Sequence, residues 1–470
     1  METTTPNRFT AVSERTAASR LAGRLTIDGL RKHVRSGQVD TVLLALPDLQ
    51  GRLKGKRYGA RHFVERIATG DADMCAYILA TDVDMTPADG FAMTSWDSGY
   101  QDLHAVPDLS TIRALPWMPR TVLVHADAQD HQGQPLEVAP RQMLRHQLAR
   151  LADRGLTVKA GLETEFILYQ GSYAQAAETD YRGLRPVAAD NLDYALDHDP
   201  ALDRFLRRLQ AALAGAGLPV EAVKTESAPG QVEVTFPYGD ALAACDGHTV
   251  LKHAVRSIAQ RSGWAPTFMA APETGLANGL HLHLSLWRDD QPVLAAEDGS
   301  LSPLARHAIA GLVDSLADLA PLYAPTINSY KRLTNESFAP TRLTWGFDNR
   351  TCAVRVVGHG DDLHIEVRLP GADANPYLAV AAALGAIFDA TDYDLQPSSP
   401  FTGNAYQAEN ARSVPLSLQE ALEGFRDSPV AQKAFGAAVV EHYTRIGQIE
   451  LDAHRHVVTD AERRRWFARA

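Results

Sequence analysis

Cysteine is scarce in this chain: three occur in 470 residues (Cys75, Cys245, Cys352), odd in number and far apart. That spacing excludes a disulfide framework and a Cys-x-x-Cys metal site, and it leads us to expect a reducing cytoplasm. No run of about eighteen apolar residues exists, so no membrane-spanning helix is expected. The opening stretch, Met1 to Arg20, lacks the apolar core of a secretory signal. Basic residues are outnumbered by acidic ones, 46 to 57, and the net charge of -11 argues against nucleic acid as the main partner. Internal repeats and low-complexity blocks are also missing. What remains is a composition of 45% hydrophobic and 22% charged residues, that of a soluble globular protein acting on small molecules.

The length suggests two or three domains. Residues 1–24 read as a loose tail, 25–137 as a first domain and 138–470 as the main body. Thr41 to Leu46 is apolar and β-branched, closed by Pro47-Asp48, and predicts a strand. Gly51 to Lys56 reads as a basic, glycine-punctuated turn, and Thr121 to Ala126 as another strand. Pro140 sits where a helix can begin. Beyond it, helical patterns (141–154, 202–214, 246–260, 302–319, 376–391) alternate with strands, which predicts an α+β or α/β body.

What those strands carry points to chemistry. Side chains alternate faces along a strand, so residues two apart share one. In 158–169, Glu163 and Glu165 lie on the same face; in 231–236, Glu233 shares a face with Gln231 and Thr235. In 280–286, His281, His283 and Ser285 face one way and four leucines the other. In 365–369, Glu366 and Arg368 lie together, and 352–356 brings Arg355 with Arg350 just before it. Any one such pair is more often a solvated sheet face. Four in one body indicate a cleft. Two carboxylates about seven ångströms apart on one face require a cation there, and mostly carboxylate donors suit Mg2+ or Mn2+. Arg332, Arg350, Arg355 and Arg368 add anion-holding forks. Acids, divalent metal and arginines together serve phosphoryl transfer.

These motifs resemble those of the glutamine synthetase superfamily. Gly161-Leu-Glu-Thr-Glu-Phe166 is similar to its Glu-x-Glu-Phe metal motif, and Lys224-Thr-Glu226 with Gln231-Val-Glu233 to its second acidic block. His281 to Trp287 resembles its histidine strand, and Asn328 to Leu333 its substrate-arginine segment. Asn349-Arg350 to Arg355, Glu366-Val-Arg368 and Ala374-Asn-Pro-Tyr-Leu378 complete the series in family order. The resemblance implies a small β-grasp domain followed by a catalytic domain built on a funnel-like antiparallel sheet. It implies that Glu165, Glu226 and Glu233 hold one metal, and Glu163, His281 and Glu366 another. His283, Ser285, Arg350 and Arg355 would serve ATP; Arg332, Arg368, Asn278 and Gly279 would hold glutamate. Arg332, Arg368 and Glu226 would act in catalysis, through a γ-glutamyl phosphate attacked by an amine. Stacked hexameric rings, usually dodecamers, are implied as well.

The chain departs from the family pattern where ammonium would sit. Polar and acidic positions fall at Met74, Tyr77, Leu184 and Phe338, leaving Glu226 as the one acid of the amine pocket. A bare ammonium ion stripped of water there would lose several kcal/mol of hydration without replacement. The chain therefore resembles the branches that make γ-glutamyl-polyamines and γ-glutamylethanolamide, the latter also through Asp180-Tyr-Arg-Gly-Leu184. The expected reaction is γ-glutamylation of an organic primary amine. Nearby acids (Asp71, Asp73, Glu336) are the alternative source of ammonium ligands, which would make this an ordinary glutamine synthetase. A non-catalytic relative is the rival of another class, and the six intact metal-ligand positions speak against it. The C-terminal 460–467 segment reads as a helix.

Overall fold

In the computed structural model, which describes residues 21–470, the chain forms two sheets flanked by helices, and the α+β expectation holds. The first sheet contains β1 (Thr41–Pro47), β2 (Leu53–Gly59), β3 (Ala72–Cys75), β4 (Asp102–Pro107), β5 (Arg113–Ala114) and β6 (Thr121–Gln129). Its order is β2-β1-β6-β4-β3, with β5 on β6; β1 and β6 run parallel and the other pairs antiparallel. Residues 1–20 of the expected tail lie outside the described residues. Of the remainder, Gly23 donates its N–H to the Gly215 carbonyl at 2.7 Å, and Arg24 bridges Arg113.

The Gly51 to Lys56 turn is a correction. Only Asp48 to Arg52 turns, closed by the Asp48 carboxylate accepting from the Gln50 and Arg52 amides. From Leu53 the chain is already paired with β1, Lys56 opposite Leu44. The glycine that suggested a turn serves instead for a close approach: at Gly55 (φ +151°) a Cβ would lie 1.9 Å from the Leu44 carbonyl oxygen. Asn375 donates its amide to the Asp48 and Leu49 carbonyls (3.0 and 3.1 Å), pinning this turn to the helix it caps.

The second sheet contains β7 (Thr157–Gln170), β8 (Ala222–Thr225), β9 (Gln231–Thr235), β10 (Gly239–Asp240), β11 (Trp264–Thr267) and β12 (Leu280–Arg288). It continues through β13 (Gln291–Pro292), β14 (Trp345–Phe347), β15 (Val354–Val357) and β16 (His364–Val367). The main order is β14-β15-β16-β12-β7-β9-β8, antiparallel except for β14 with β15. Alternation does what the sequence implied: Leu280, Leu282, Leu284 and Leu286 are buried. Each contributes roughly 1.5–3 kcal/mol by burial, which fixes His281, His283 and Ser285 on the opposite face. A slip of one residue would exchange the two sets. Helices Pro140–Ala152, Ala241–Arg261, Pro303–Ser315 and Pro376–Asp392 pack around the sheets. The first begins with Pro140 as its first helical residue, as expected.

One buried charge cluster ties the pieces together. Arg141, 1% exposed, donates to Asp246 (3.0 and 3.0 Å), Asp127 (2.6 Å) and Asp108 (2.7 Å). Tyr377 donates its hydroxyl to Asp246 at 2.7 Å, and Arg145 also reaches Asp108. Asp108 directly follows β4 and Asp127 lies on β6; the other partners lie on three helices. Every one of those buried charges is paired, which is the condition for tolerating it.

Candidate active site

A cavity of about 700 Å³ opens over one face of the second sheet. Glu163 and Glu165 reach it from β7, Glu233 from β9, Glu226 from the β8–β9 turn, and His281, His283 and Ser285 from β12. Register places these groups side by side: His281 pairs with Glu163, Glu165 with Glu233, and His283 with Glu366. Donor atoms of Glu165, Glu226 and Glu233 lie within 4.8 Å of one another; so do those of Glu163, His283 and Glu366, and of Glu163, Glu233 and His281. His281 Nδ1 stands 3.1 Å from Glu163 and 3.6 Å from Glu366.

Four glutamates facing one space need cationic company. Lys224 supplies some, in a close ion pair with Glu226. It is not enough: burial, then Glu163 and Glu165, push the Glu233 pKa up to about 9. Glu226 is also raised, by burial and Glu165. An all-oxygen group plus imidazole nitrogen, short of positive charge, is a donor set that fits hard divalent ions. Glu366 has the opposite balance. Burial raises its pKa, but Arg368, His281 and His283 outweigh that and bring it to about 2. Arg355 donates to its second oxygen at 2.9 Å, and Arg368 holds the first.

The arginines keep capacity in reserve. Arg332 is 4% exposed and donates to the Leu369 carbonyl at 2.9 Å, and burial lowers its pKa to about 10. Among the described residues, the Nε atoms of Arg332 and Arg368 are buried without a hydrogen-bond partner. Such unmet donors beside a cavity favour an anionic ligand. Arg350 and Arg355 line the same cavity, with Arg350 exposed.

Several residues singled out from the sequence lie elsewhere. Asn278 is fully buried; it donates to the Met269 carbonyl (2.9 Å) and accepts from Gln231 (2.9 Å), so it braces the wall rather than lining it. Gly279 donates its N–H to Glu165 at 2.7 Å, which orients a carboxylate instead of a substrate. Met74 is 4% exposed in the first sheet's core, and on β3 it is Asp73 that is exposed. Tyr77, half-buried, meets Tyr100 edge-on at 6.4 Å. Leu184 packs with Ile167, Tyr169 and Ala228. Phe338 does line the cavity, at φ +58°, and its carbonyl accepts from Arg368 at 3.4 Å. Of the alternative acids, Glu336 is absent from the lining, while Asp71 and Asp73 face His104 at 3.4 and 3.1 Å.

Sequence reasoning missed an aromatic and cationic corner of the cavity. Lys159 stands 3.2 Å over the Trp287 ring, with Tyr238 beside them. The signal was present: 281, 283, 285 and 287 share a face, as do 159, 161, 163 and 165. Tyr194, 4.3 Å from Lys224, comes from an irregular loop with no periodicity to read.

The comparisons with known proteins agree with this geometry. Residues 137–466 match the family described as glutamine synthetase, catalytic domain. The chain is 46% identical over 445 residues to the gamma-glutamylethanolamide synthetase of Streptomyces coelicolor, covering 95% of this chain and 96% of that one. It is 34% identical to the glutamate–isopropylamine ligase of a Pseudomonas species, across 93% and 97%. Among solved structures, a GmaS/ADP complex superposes with a TM-score of 0.81 at 29% identity, covering 93% and 99%.

Proposed function

The chain belongs to the glutamine synthetase family of carbon–nitrogen ligases, and from that premise we propose that it joins the γ-carboxylate of glutamate to an organic primary amine at the expense of ATP. The observation that carries this reading is the cavity wall. Its flap contributes Ser337 and Phe338, with no acid, while Glu336 lies outside and Asp71 and Asp73 pair with His104. The Ser337–Phe338 segment therefore brings no carboxylate of its own to an ammonium ion, whereas an alkyl chain fits against Phe338. The relatives named for ethanolamide and isopropylamine products support an amine of that kind.

Mg2+ or Mn2+, held by Glu165, Glu226 and Glu233 and by Glu163, His281 and Glu366, would neutralise the cluster and the phosphates of ATP. The remaining work falls to the chain's own residues. Arg332 and Arg368 turn their unmet Nε donors to the anionic ends of the substrate and the transferred phosphoryl group. Arg350 and Arg355 steady the nucleotide phosphates, and the Lys159–Trp287–Tyr238 corner offers its base a stacking surface. Glutamate's γ-oxygen attacks the γ-phosphorus and ADP leaves. The amine nitrogen then attacks the acyl carbon, phosphate departs, and Glu226 is placed to accept the amine proton. The same reading divides the chain at 137/138 and assembles it in stacked hexameric rings, which native mass measurement tests.

The experiment is phosphate release with ATP, glutamate and Mg2+ across ammonium, ethanolamine, alkylamines, an aromatic amine, diamines and polyamines, with products weighed. Turnover with organic amines but not ammonium is expected. Turnover with ammonium alone would overturn the amine assignment.

A further inference from the structure

A second group of metal-type donors lies on the first sheet, outside the catalytic cavity. Ala72, Leu103, Ala105 and Ala128 are buried beneath β3, β4 and β6. Alternation then turns Asp73, His104 and Gln129 outward, and register sets them in one row, Asp73 opposite His104 and His104 opposite Gln129. Asp71, one residue before β3, reaches the same imidazole. His104 Nδ1 lies 3.1 Å from Asp73 Oδ1 and 3.4 Å from Asp71 Oδ2, and one donor atom from each of the three residues falls within 4.8 Å of the others.

This group differs from an ordinary ion pair in three ways. Nδ1 is buried, yet among the described residues it has no hydrogen-bond partner, because neither carboxylate lies on the line its N–H would need. No Lys or Arg among the described residues stands within ion-pairing distance of either carboxylate, and Lys56 donates instead to the Asp73 backbone carbonyl. On the far side of the ring, Nε2 is already engaged, 3.1 Å from His131 Nδ1, with the two rings edge to face at 5.0 Å. His131 sits on a tight turn in which the Asp130 carboxylate accepts from the Gln132 and Gln134 amides at 2.8 Å each. The His104 ring is thus clamped from behind, with one nitrogen aimed at two carboxylates.

Spacing and donor chemistry identify the occupant. Ligands at about 2.0–2.1 Å around a tetrahedral ion stand about 3.3 Å apart. The 3.1 and 3.4 Å separations match that edge without any movement. Ca2+ takes roughly six to eight oxygens and Mg2+ an octahedral shell, and neither favours imidazole. We propose that Asp71, Asp73 and His104 bind one Zn2+ ion on the first sheet, with a fourth position open to water, and that His131 is the residue positioning the His104 ring. β3 is a four-residue strand at the sheet's edge, paired on one side only. The ion ties that edge to β4 and, through His131, to the loop after β6. This site is separate from the amine-ligase chemistry and does not depend on it.

Co2+, whose tetrahedral complexes absorb strongly in the visible, tests the site on the full-length protein without turnover. Mg2+ in large excess occupies the carboxylates of the catalytic cavity. Tetrahedral bands from one Co2+ per chain are expected in the wild-type protein and in Glu233→Gln, and are lost in His104→Leu and Asp73→Asn. Zn2+ should bleach the wild-type bands by displacement. His131→Ala should weaken Co2+ binding about 10- to 100-fold, as loss of an orienting partner does. His131→Gln, which can still hydrogen-bond His104 Nε2, should restore most of it. Asp73→Asn, nearly isosteric at an exposed position, keeps the test open should His104→Leu not fold. No tetrahedral bands in the wild-type protein, or bands unchanged in Asp73→Asn, overturn the proposal. Bands lost only in Glu233→Gln place the ion in the catalytic cavity and overturn it equally.

Discussion

Two glutamates of the same cavity should respond to the same substitution in opposite directions. Glu366→Gln removes a carboxylate whose pKa is lowered from 4.5 to about 2. At neutral pH that shift is worth about 3 kcal/mol of folding free energy, at 1.36 kcal/mol per unit. The contribution is present above the unfolded pKa and is lost as pH falls from 4.5 through about 2. Glu233→Gln removes a carboxylate raised from 4.5 to about 9. There the folded protein retains a proton that the unfolded chain has released, so metal-free stability declines as pH climbs from 4.5 toward 9. At about pH 7.5 the penalty has a ceiling of about 4 kcal/mol, and water entering an open cavity reduces it to roughly 2. In chelator, Glu366→Gln should therefore lose about 3 kcal/mol and Glu233→Gln gain about 2. Saturating metal reverses the second comparison: an ion at a hundred times its Kd adds about 2.7 kcal/mol to the wild-type protein and less to the variant. Urea unfolding read by tryptophan fluorescence, with chelator and with Mg2+, measures all four states. A Glu233→Gln protein no more stable than wild type in chelator would refute the argument, and both variants should lose turnover.

Arg141→Met should cost about 3–5 kcal/mol, because it strands the buried Asp246 carboxylate; adding Asp246→Asn should recover most of it in the same urea titration. His125 and His442 are buried, and burial lowers both to a pKa of about 4. Their stability contribution is intact above about pH 6.5 and is lost as pH falls to about 4, up to roughly 3 kcal/mol each. His125→Gln should flatten that acid limb in unfolding curves taken across the range. Phe338→Glu should raise phosphate release with ammonium relative to ethanolamine, by tenfold or more if a paired carboxylate returns about 1.4 kcal/mol; an unchanged ratio would remove Phe338 from the amine site.

Much of this site was legible because strands write their faces in alternate letters. The Glu163/Glu165 and His281/His283/Ser285 sets could be read from spacing alone, and register then brought them together. Positions without periodicity were not readable. The alternation of exposed Asp73 and buried Met74 on β3, for example, depends on where that short strand begins. Asn278 lies among candidate substrate positions in the sequence, while in the fold its amide is held by Gln231, 47 residues away, and by the Met269 carbonyl. Gly55 suggested a turn because glycine permits one; its actual use, contact with the Leu44 carbonyl, is a tertiary fact. His364 stands where the family resemblance leads one to expect an arginine, and only the fold shows it lying between the Asp362 carbonyl and His283.

The Arg141 cluster bears on how this chain can be recombined with its relatives. Its aspartates at 108 and 127 lie before the 137 boundary of the matched catalytic segment, and Arg141, Asp246 and Tyr377 lie after it. A hybrid made by exchanging the first 130 residues inherits half of an electrostatic lock. Donor sequences lacking either aspartate would leave one guanidinium with too few anions, and those with an extra acid would leave one too many. Swaps that keep Asp108, Asp127, Arg141, Arg145 and Asp246 as a set should yield folded hybrids, so crossover points are better chosen by this cluster than by the loop before Pro140.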